Sequence, residues 1–207
     1  MRRLSIALLL LVVGCAHADP ARELAVAAQL DTGSGVARLL DAGVSPNSVD
    51  PVSGEPVLIL ALREGSQQAI ERLIAAKNLQ LEQTAPNGNT ALMMAAFKHN
   101  RKAVEALLAR GAQVNRPGWT ALHYAAAAGD EGIASVLLAR QADINARSPS
   151  DITPLMIAAR EGQEGAVQML LKAGADTTLK NNEGLTARQI AERADKPRIA
   201  AMLPAAK

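Results

Sequence analysis

Pairs of apolar residues recur along this 207-residue chain at a nearly constant spacing. Successive pairs begin 34, 34, 30, 33 and 33 residues apart; they are Leu39-Leu40, Leu73-Ile74, Leu107-Leu108, Leu137-Leu138 and Leu170-Leu171, with Leu203 ending the series. A fixed period of this length is typical of small units that stack on their neighbours. The pattern therefore predicts a solenoid.

A predicted helix start lies 17 residues before each pair; these starts are Arg22, Pro56, Thr90, Thr120, Thr153 and Thr186. Threonine suits this position because its hydroxyl accepts a hydrogen bond from an early backbone N–H of the helix. Pro154 directly follows one of the threonines, and proline is tolerated at a first helical position. We expect each unit to begin its first helix here.

The unit from 153 to 184 illustrates the predicted fold of one repeat. A first helix, with Leu155 and Ile157 on its apolar side, should end at Gly162. A second helix over 164–174 should bury Val167 and Leu170, and Gly174 should close it. Residues 175–184 then predict an extended finger with a turn.

This sequence of two helices and a finger resembles the ankyrin repeat. The stretches TPLMIAAREGQEGAVQMLLKAGADTTLKNNEG and TALHYAAAAGDEGIASVLLARQADIN carry the resemblance best, and it extends over residues 20–207. It implies an all-α ankyrin-repeat solenoid of about five repeats with a C-terminal cap. We assign residues 19–207 to this domain.

Two departures from the repeat predict local differences. The step from Thr90 to Thr120 is three residues short within 115–120, which predicts a shortened finger. Lys77 and Gln141 stand where a glycine follows the other second helices (Gly43, Gly111 and Gly174). Those two helix ends should be strained or capped differently.

Residues 1–18 have the composition of an export signal. Arg2 and Arg3 precede a ten-residue apolar run from Leu4 to Val13, well short of the ~20 residues that a membrane-spanning helix needs. Residues 16–18 fit ordinary signal peptidase, whereas residues 12–15 resemble a bacterial lipobox that would leave a lipidated Cys15. Both routes predict an exported periplasmic protein, either soluble or lipid-anchored through Cys15.

The charge balance and the single cysteine limit the partners and covalent links that we expect for this chain. Without Arg2 and Arg3, 20 basic residues face 20 acidic ones, so we expect no nucleic-acid partner. Cys15 is the sole cysteine, which excludes a disulfide within the chain. We expect a monomer.

The residues that look catalytic are better explained by the repeat. His123 occupies the place of Met93 and Met156 in other units, and the ankyrin resemblance implies a structural hydrogen-bond network for it and Thr120. Tyr124 falls at an apolar position and should belong to the core. We predict no enzyme activity, no cofactor and no metal site, because only His99 and His123 remain after export.

The ankyrin resemblance implies partner binding on the concave side, through the finger tips and the exposed ends of the first helices. The residues predicted to bind the partner are Phe97, Lys98, Trp119, Arg160, Glu161, Arg63 and Glu64. Alternatively, Trp119 folds over the shortened finger and fills a gap. The predicted function is non-catalytic binding of a protein of the bacterial envelope, as an accessory factor in stress protection; the alternative is an immunity-type inhibitor of a toxin or enzyme.

Overall fold

A computed structural model describes residues 19–204, which form twelve helices arranged as six helix–turn–helix pairs. The first helices of the pairs are α1 (Pro20–Gln29), α3 (Val57–Glu64), α5 (Ala91–Phe97), α7 (Ala121–Ala128), α9 (Pro154–Glu161) and α11 (Ala187–Arg193). The second helices are α2 (Gly33–Asp41), α4 (Gln67–Ala75), α6 (Arg101–Ala109), α8 (Glu131–Ala139), α10 (Glu164–Lys172) and α12 (Pro197–Met202). Five repeats with a C-terminal cap account for these pairs, as predicted.

Threonine caps begin the first helices of the third to sixth units, as the sequence predicts. The Thr153 hydroxyl accepts from the Met156 backbone N–H at 3.3 Å, and Gly162 ends α9 in the left-handed region at φ 85°. The prediction for the first unit was wrong by three residues. There α1 begins at Pro20 rather than after Arg22, because the Asp19 carboxylate accepts from the Ala21 N–H at 2.9 Å and supplies an earlier cap.

The units stack so that first helices pack on first helices and second helices on second helices. The leading residue of every apolar pair is buried, which confirms the predicted register. The second member is buried at Ile74 and Leu108 and only half-buried at Leu40, Leu138 and Leu171. The buried side chains form one cluster between Leu24 and Leu137 and a second between Ala126 and Leu203, and Trp119 and Met169 pack against both. The half-buried second members of the pairs lie at the rims of these clusters.

Four of the five fingers close with a backbone hydrogen bond of 2.9–3.0 Å; the bonded pairs are Asp50–Glu55, Ala85–Asn89, Ser148–Ile152 and Asn181–Leu185. Within residues 19–204, the finger between α6 and α7 has no equivalent bond, in agreement with the predicted shortening. The Asn115 side chain bridges to the next unit, as Asn47 does in the first finger. Its amide donates to the Gln141 carbonyl, and its oxygen accepts from the Asp143 N–H, both at 2.8 Å.

The two exceptional second-helix ends differ from each other. Gln141 adopts φ 64°, a left-handed conformation that strains a residue with a side chain. Helix α4 instead ends with Ala76 in an extended conformation, and the Arg110 guanidinium of the next unit donates to the Ala76 carbonyl at 2.8 Å. Both predicted outcomes, strain and a different cap, therefore occur.

The predicted signal segment 1–18 and its Cys15 lie outside the described residues. From residue 19 to residue 204, no helix combines the length and the apolar character needed to cross a bilayer.

Candidate functional site

An aromatic groove opens where the third, fourth and fifth units meet. It has a volume of about 360 Å³. The residues that line this aromatic groove are Phe97, Trp119, His123, Tyr124, Ala127, Ile157, Arg160 and Glu161. Helices α5, α7 and α9 each contribute to it, so its shape depends on the stacking of three consecutive units.

Trp119 ends the shortened finger, directly before the first helix of the fourth unit. Its ring is half-buried and packs on apolar side chains on both sides of the groove. The ring centroid lies 5.2 Å from that of His123 and 6.2 Å from that of Tyr124, both in edge-to-face geometry. Trp119 thus fills space beside the short finger and also lines the groove. Gap filling and partner binding were the alternatives that the sequence left open for this residue.

Phe97 is the exposed aromatic residue of the groove. It is the last residue of α5, its exposed fraction is 47%, and its ring meets Tyr124 edge-to-face at 6.1 Å. Large apolar side chains with this exposure are few among the described residues; the others are Leu30, Val49 and Val52. Phe97 alone of these lies beside other aromatic rings in a concavity.

Tyr124 is partly buried between Phe97 and Trp119, and its hydroxyl donates to the Asn89 side-chain oxygen at 2.5 Å. Burial raises the pKa of the Tyr124 phenol, and the hydrogen bond to Asn89 opposes that shift. The phenol is therefore neutral and fixed in place. The predicted place of Tyr124 in the core is confirmed in part, because the side chain packs against the core but is only partly buried.

His123 joins two units through hydrogen bonds at both ring nitrogens. Nδ1 lies 3.2 Å from the Thr120 backbone nitrogen and 2.9 Å from the Thr120 hydroxyl, while Nε2 lies 2.8 Å from the Ile152 carbonyl of the next finger. The side chain is only 1% exposed, and this burial lowers the pKa of the imidazole. The structural network implied for His123 and Thr120 is present.

Arg160 and Glu161 form the charged rim of the groove. They pair at 2.9 Å, and both side chains are largely solvent-exposed. Arg160 also borders a neighbouring cavity of about 240 Å³, which we call the Leu185 cavity; its other lining residues are Ile152, Asn181, Glu183, Leu185, Ile190, Arg193 and Ala194. Arg160 therefore borders two cavities, the aromatic groove and the more polar Leu185 cavity.

The structure brings together four of the seven residues predicted to bind a partner: Phe97, Trp119, Arg160 and Glu161 all line the aromatic groove. Lys98 is exposed next to Phe97 but does not line the groove. Arg63 and Glu64 lie outside the groove as well, where Arg63 pairs with Glu55 at 2.5 Å and with Glu64 at 3.1 Å.

Sequence reasoning missed the contributions of Tyr124 and Ile157 to the groove. Tyr124 and Ile157 share a repeat position that is otherwise apolar in every unit. The pattern therefore assigned both residues to the core alone. The repeat pattern does not show which of these positions border a groove, because that depends on how three consecutive units pack together. Within residues 19–204, no group of three or more His, Cys, Asp or Glu side chains could hold a metal ion.

Comparison with known proteins identifies the repeats. A family model described as "Ankyrin repeats (3 copies)" matches residues 24–118, 78–148 and 113–181, which together cover well over half of the chain. The ankyrin repeat domain of Bcl-3, a solved structure, superposes with a TM-score of 0.70 at 29% identity, covering 84% of this chain and 81% of that one.

Two curated relatives share part of the chain. The human "SH3 and multiple ankyrin repeat domains protein 1" is 39% identical over 121 residues, which are 56% of this chain and 6% of that protein. The mouse "Protein phosphatase 1 regulatory subunit 27" is 32% identical over 99 residues, which are 44% of this chain and 64% of that protein. The chain therefore spans less than two thirds of either relative.

Proposed function

Because the chain belongs to the ankyrin repeat family, whose repeats are protein–protein interaction modules, we propose that it binds a partner protein at the aromatic groove. The observation that carries this proposal is the convergence of Phe97, Trp119 and Tyr124 beside the Arg160–Glu161 pair. Tryptophan, tyrosine and arginine are enriched among the residues that dominate binding energy at protein interfaces. The role is non-catalytic.

The packing of the groove supports tight binding. Trp119 rests on the core, Tyr124 is held by Asn89, and the groove walls belong to helices capped at both ends. A surface that is already ordered loses little side-chain and loop entropy when a partner docks. The protein accordingly acts as a rigid monomeric platform.

We further propose that the protein works in the periplasm as an accessory factor for an envelope protein in stress protection. The support is residues 1–18, whose basic start, ten-residue apolar run and alternative cleavage sites resemble an export signal. Intact mass of the mature protein tests this. Either a start at Asp19 or a lipidated Cys15 is expected, and an intact leader on protein from the native cell would contradict export.

A second function is inhibition of an enzyme or toxin by an immunity-type mechanism, in which the solenoid covers the active site. The mouse relative favours this alternative, because its name describes a regulatory subunit of an enzyme. Adding the purified protein to its identified partner separates the two roles. An inhibitor lowers the partner's activity at stoichiometric amounts, whereas an accessory factor preserves it.

Affinity capture from periplasmic extract tests the groove itself. Phe97→Ala combined with Arg160→Ala removes two exposed groove side chains and should abolish recovery of a partner that wild type retains. Leu30→Ala is the matched control, because Leu30 is a large apolar residue, 70% exposed, outside the groove. Equal recovery by wild type and the double variant, with matching far-UV circular dichroism, would discard the groove as the binding site.

A further inference from the structure

We propose that His123 positions Trp119 of the aromatic groove and Ile152 of the Leu185 cavity, and that protonation of its ring releases both. The effect on partner binding rests on the proposed function, whereas the effect on the groove does not. The imidazole packs edge-to-face on Trp119 at 5.2 Å and bonds the Ile152 carbonyl at 2.8 Å. One buried side chain thus contacts residues of two neighbouring cavities.

The hydrogen-bond partners fix the protonation state of the ring. The Ile152 carbonyl can only accept, so Nε2 carries a proton and donates to it. The Thr120 backbone nitrogen can only donate, so Nδ1 carries none and accepts from it at 3.2 Å. His123 is therefore a neutral Nε2–H imidazole with both nitrogens in use.

A second proton would sit on Nδ1, beside both the Thr120 hydroxyl and the Thr120 backbone N–H. The hydroxyl, 2.9 Å away, could rotate to accept from it, but the Thr120 N–H would lose its acceptor, so one backbone hydrogen bond at the helix cap would be lost. The new charge would also be buried, which is costly without a close opposite charge. Turning the ring outward relieves both costs, and it removes the contact of the ring with Trp119 and its bond to Ile152.

The charged surroundings of His123 do not offset that cost. Burial is the largest influence and lowers the pKa of His123, whereas the backbone carbonyls of Ile152 and Ala146 and the Asp143 carboxylate, in the loop after α8, favour the protonated ring. Helix α9 presents Arg160 and Glu161 to the same groove as a mutual ion pair, and α5 contains no ionisable residue. Tyr124 stays neutral throughout the acidic range, because burial raises its pKa from a normal value of 10.0.

Other units accomplish the same capping without a titratable group. Their threonine backbone N–H donates to the sulfur of Met93 at 3.5 Å, to the sulfur of Met156 at 3.4 Å, and to the side-chain oxygen of Gln189 at 2.9 Å. Only the fourth unit, the one that holds the groove, has histidine there. The neighbouring units therefore supply two natural replacements, methionine and glutamine.

Fluorescence of Trp119 tests the proposal without any partner, because Trp119 is the sole tryptophan of the chain. Titration of purified protein from about pH 8 to about pH 4 should show an emission change with a midpoint below the ordinary histidine value of about 6.5. His123→Met and His123→Gln should abolish this change. His99→Asn should retain it, because His99 is an exposed residue outside the groove whose left-handed φ of 55° suits asparagine.

The proposal is overturned if the wild-type emission is flat, if the transition survives both His123 variants, or if His99→Asn removes it. Far-UV circular dichroism verifies that each variant is folded. If neither His123 variant folds, nitrogen-15 NMR of the wild-type imidazole tests the proposal, because the proposal requires the Nε2–H tautomer at neutral pH. Failure of the partner capture described above would discard the binding function and leave this titration unaffected.

Discussion

At the residue scale, the third residue of the first helix differs among units, yet it serves the same helix cap. His123, Met156 and Gln189 differ in chemistry, yet each accepts a hydrogen bond from the backbone N–H of the threonine three residues earlier. The requirement is one acceptor atom at the start of the helix, and nitrogen, sulfur and oxygen all satisfy it. The alignment of histidine with methionine correctly predicted a structural role for His123.

Asp50 gives the molecule an acid-sensitive contact in its first finger. The carboxylate is almost fully buried and accepts from the Arg22 guanidinium at 2.7 Å and from the Ser53 backbone N–H and hydroxyl at 3.0 and 2.8 Å. Burial by itself would raise the pKa of Asp50, but the bonds from Ser53 and Arg22 together outweigh it and lower the pKa below 3.8.

The sign of the resulting pH dependence follows from linkage. A carboxyl whose pKa is lower in the folded chain stabilises the fold above the unfolded pKa, and that stability is lost as pH falls from about 4 through the folded value. Asp50→Asn should lower the free energy of unfolding at neutral pH by about 1–3 kcal/mol. Its stability should also fall less than that of wild type between about pH 5 and about pH 3. Parallel urea-unfolding curves across that range would contradict this.

At the element scale, the ends of the second helices depend on neighbouring units. Helix α4 lacks a glycine after its last turn, and Arg110 of the following unit donates to the carbonyls of Ile74 and Ala76. This cross-unit cap satisfies carbonyls that the helix itself leaves open. It could not be predicted from the sequence, because nothing in the local pattern indicates which way a long side chain turns.

Arg110 and Arg140 occupy the same place in consecutive units and form a matched pair for testing this cap. Arg110→Ala should lower the free energy of unfolding by about 1 kcal/mol, the scale of a partly exposed charged hydrogen bond. Arg140→Ala should change it by less than about 0.5 kcal/mol, since Arg140 makes no side-chain hydrogen bond within the described residues. Chemical denaturation of both variants measures the difference, and equal losses would refute the cap.

At the scale of the whole molecule, the sequence period predicted the fold because each unit has to bury the same apolar positions against its neighbours. The leucine pairs, threonine caps and shortened finger all appear where the pattern places them. The aromatic groove was predicted only in part. Phe97 and Trp119 stood out as aromatic residues at exposed positions, whereas Tyr124 and Ile157 line the groove only because three units meet there.

Cooperative stacking of the units predicts a large penalty for opening the core between them. Leu137 is fully buried in α8, so Leu137→Ala should lower the free energy of unfolding by about 2–5 kcal/mol. Leu138 is half-buried at the rim, and Leu138→Ala should lose markedly less. Equilibrium unfolding of the two variants makes the comparison; a larger loss at Leu138 would invalidate the register of the stack.

Photocrosslinking in the organism that produces the protein tests the central claim, that the aromatic groove binds a partner protein. Replacing Phe97 with photoreactive benzoylphenylalanine should yield one dominant crosslinked protein, identified by mass spectrometry. The same substitution at Leu30, more exposed but outside the groove, should not capture that protein. No crosslink at position 97, or equal capture of the same protein at both positions, would contradict the account.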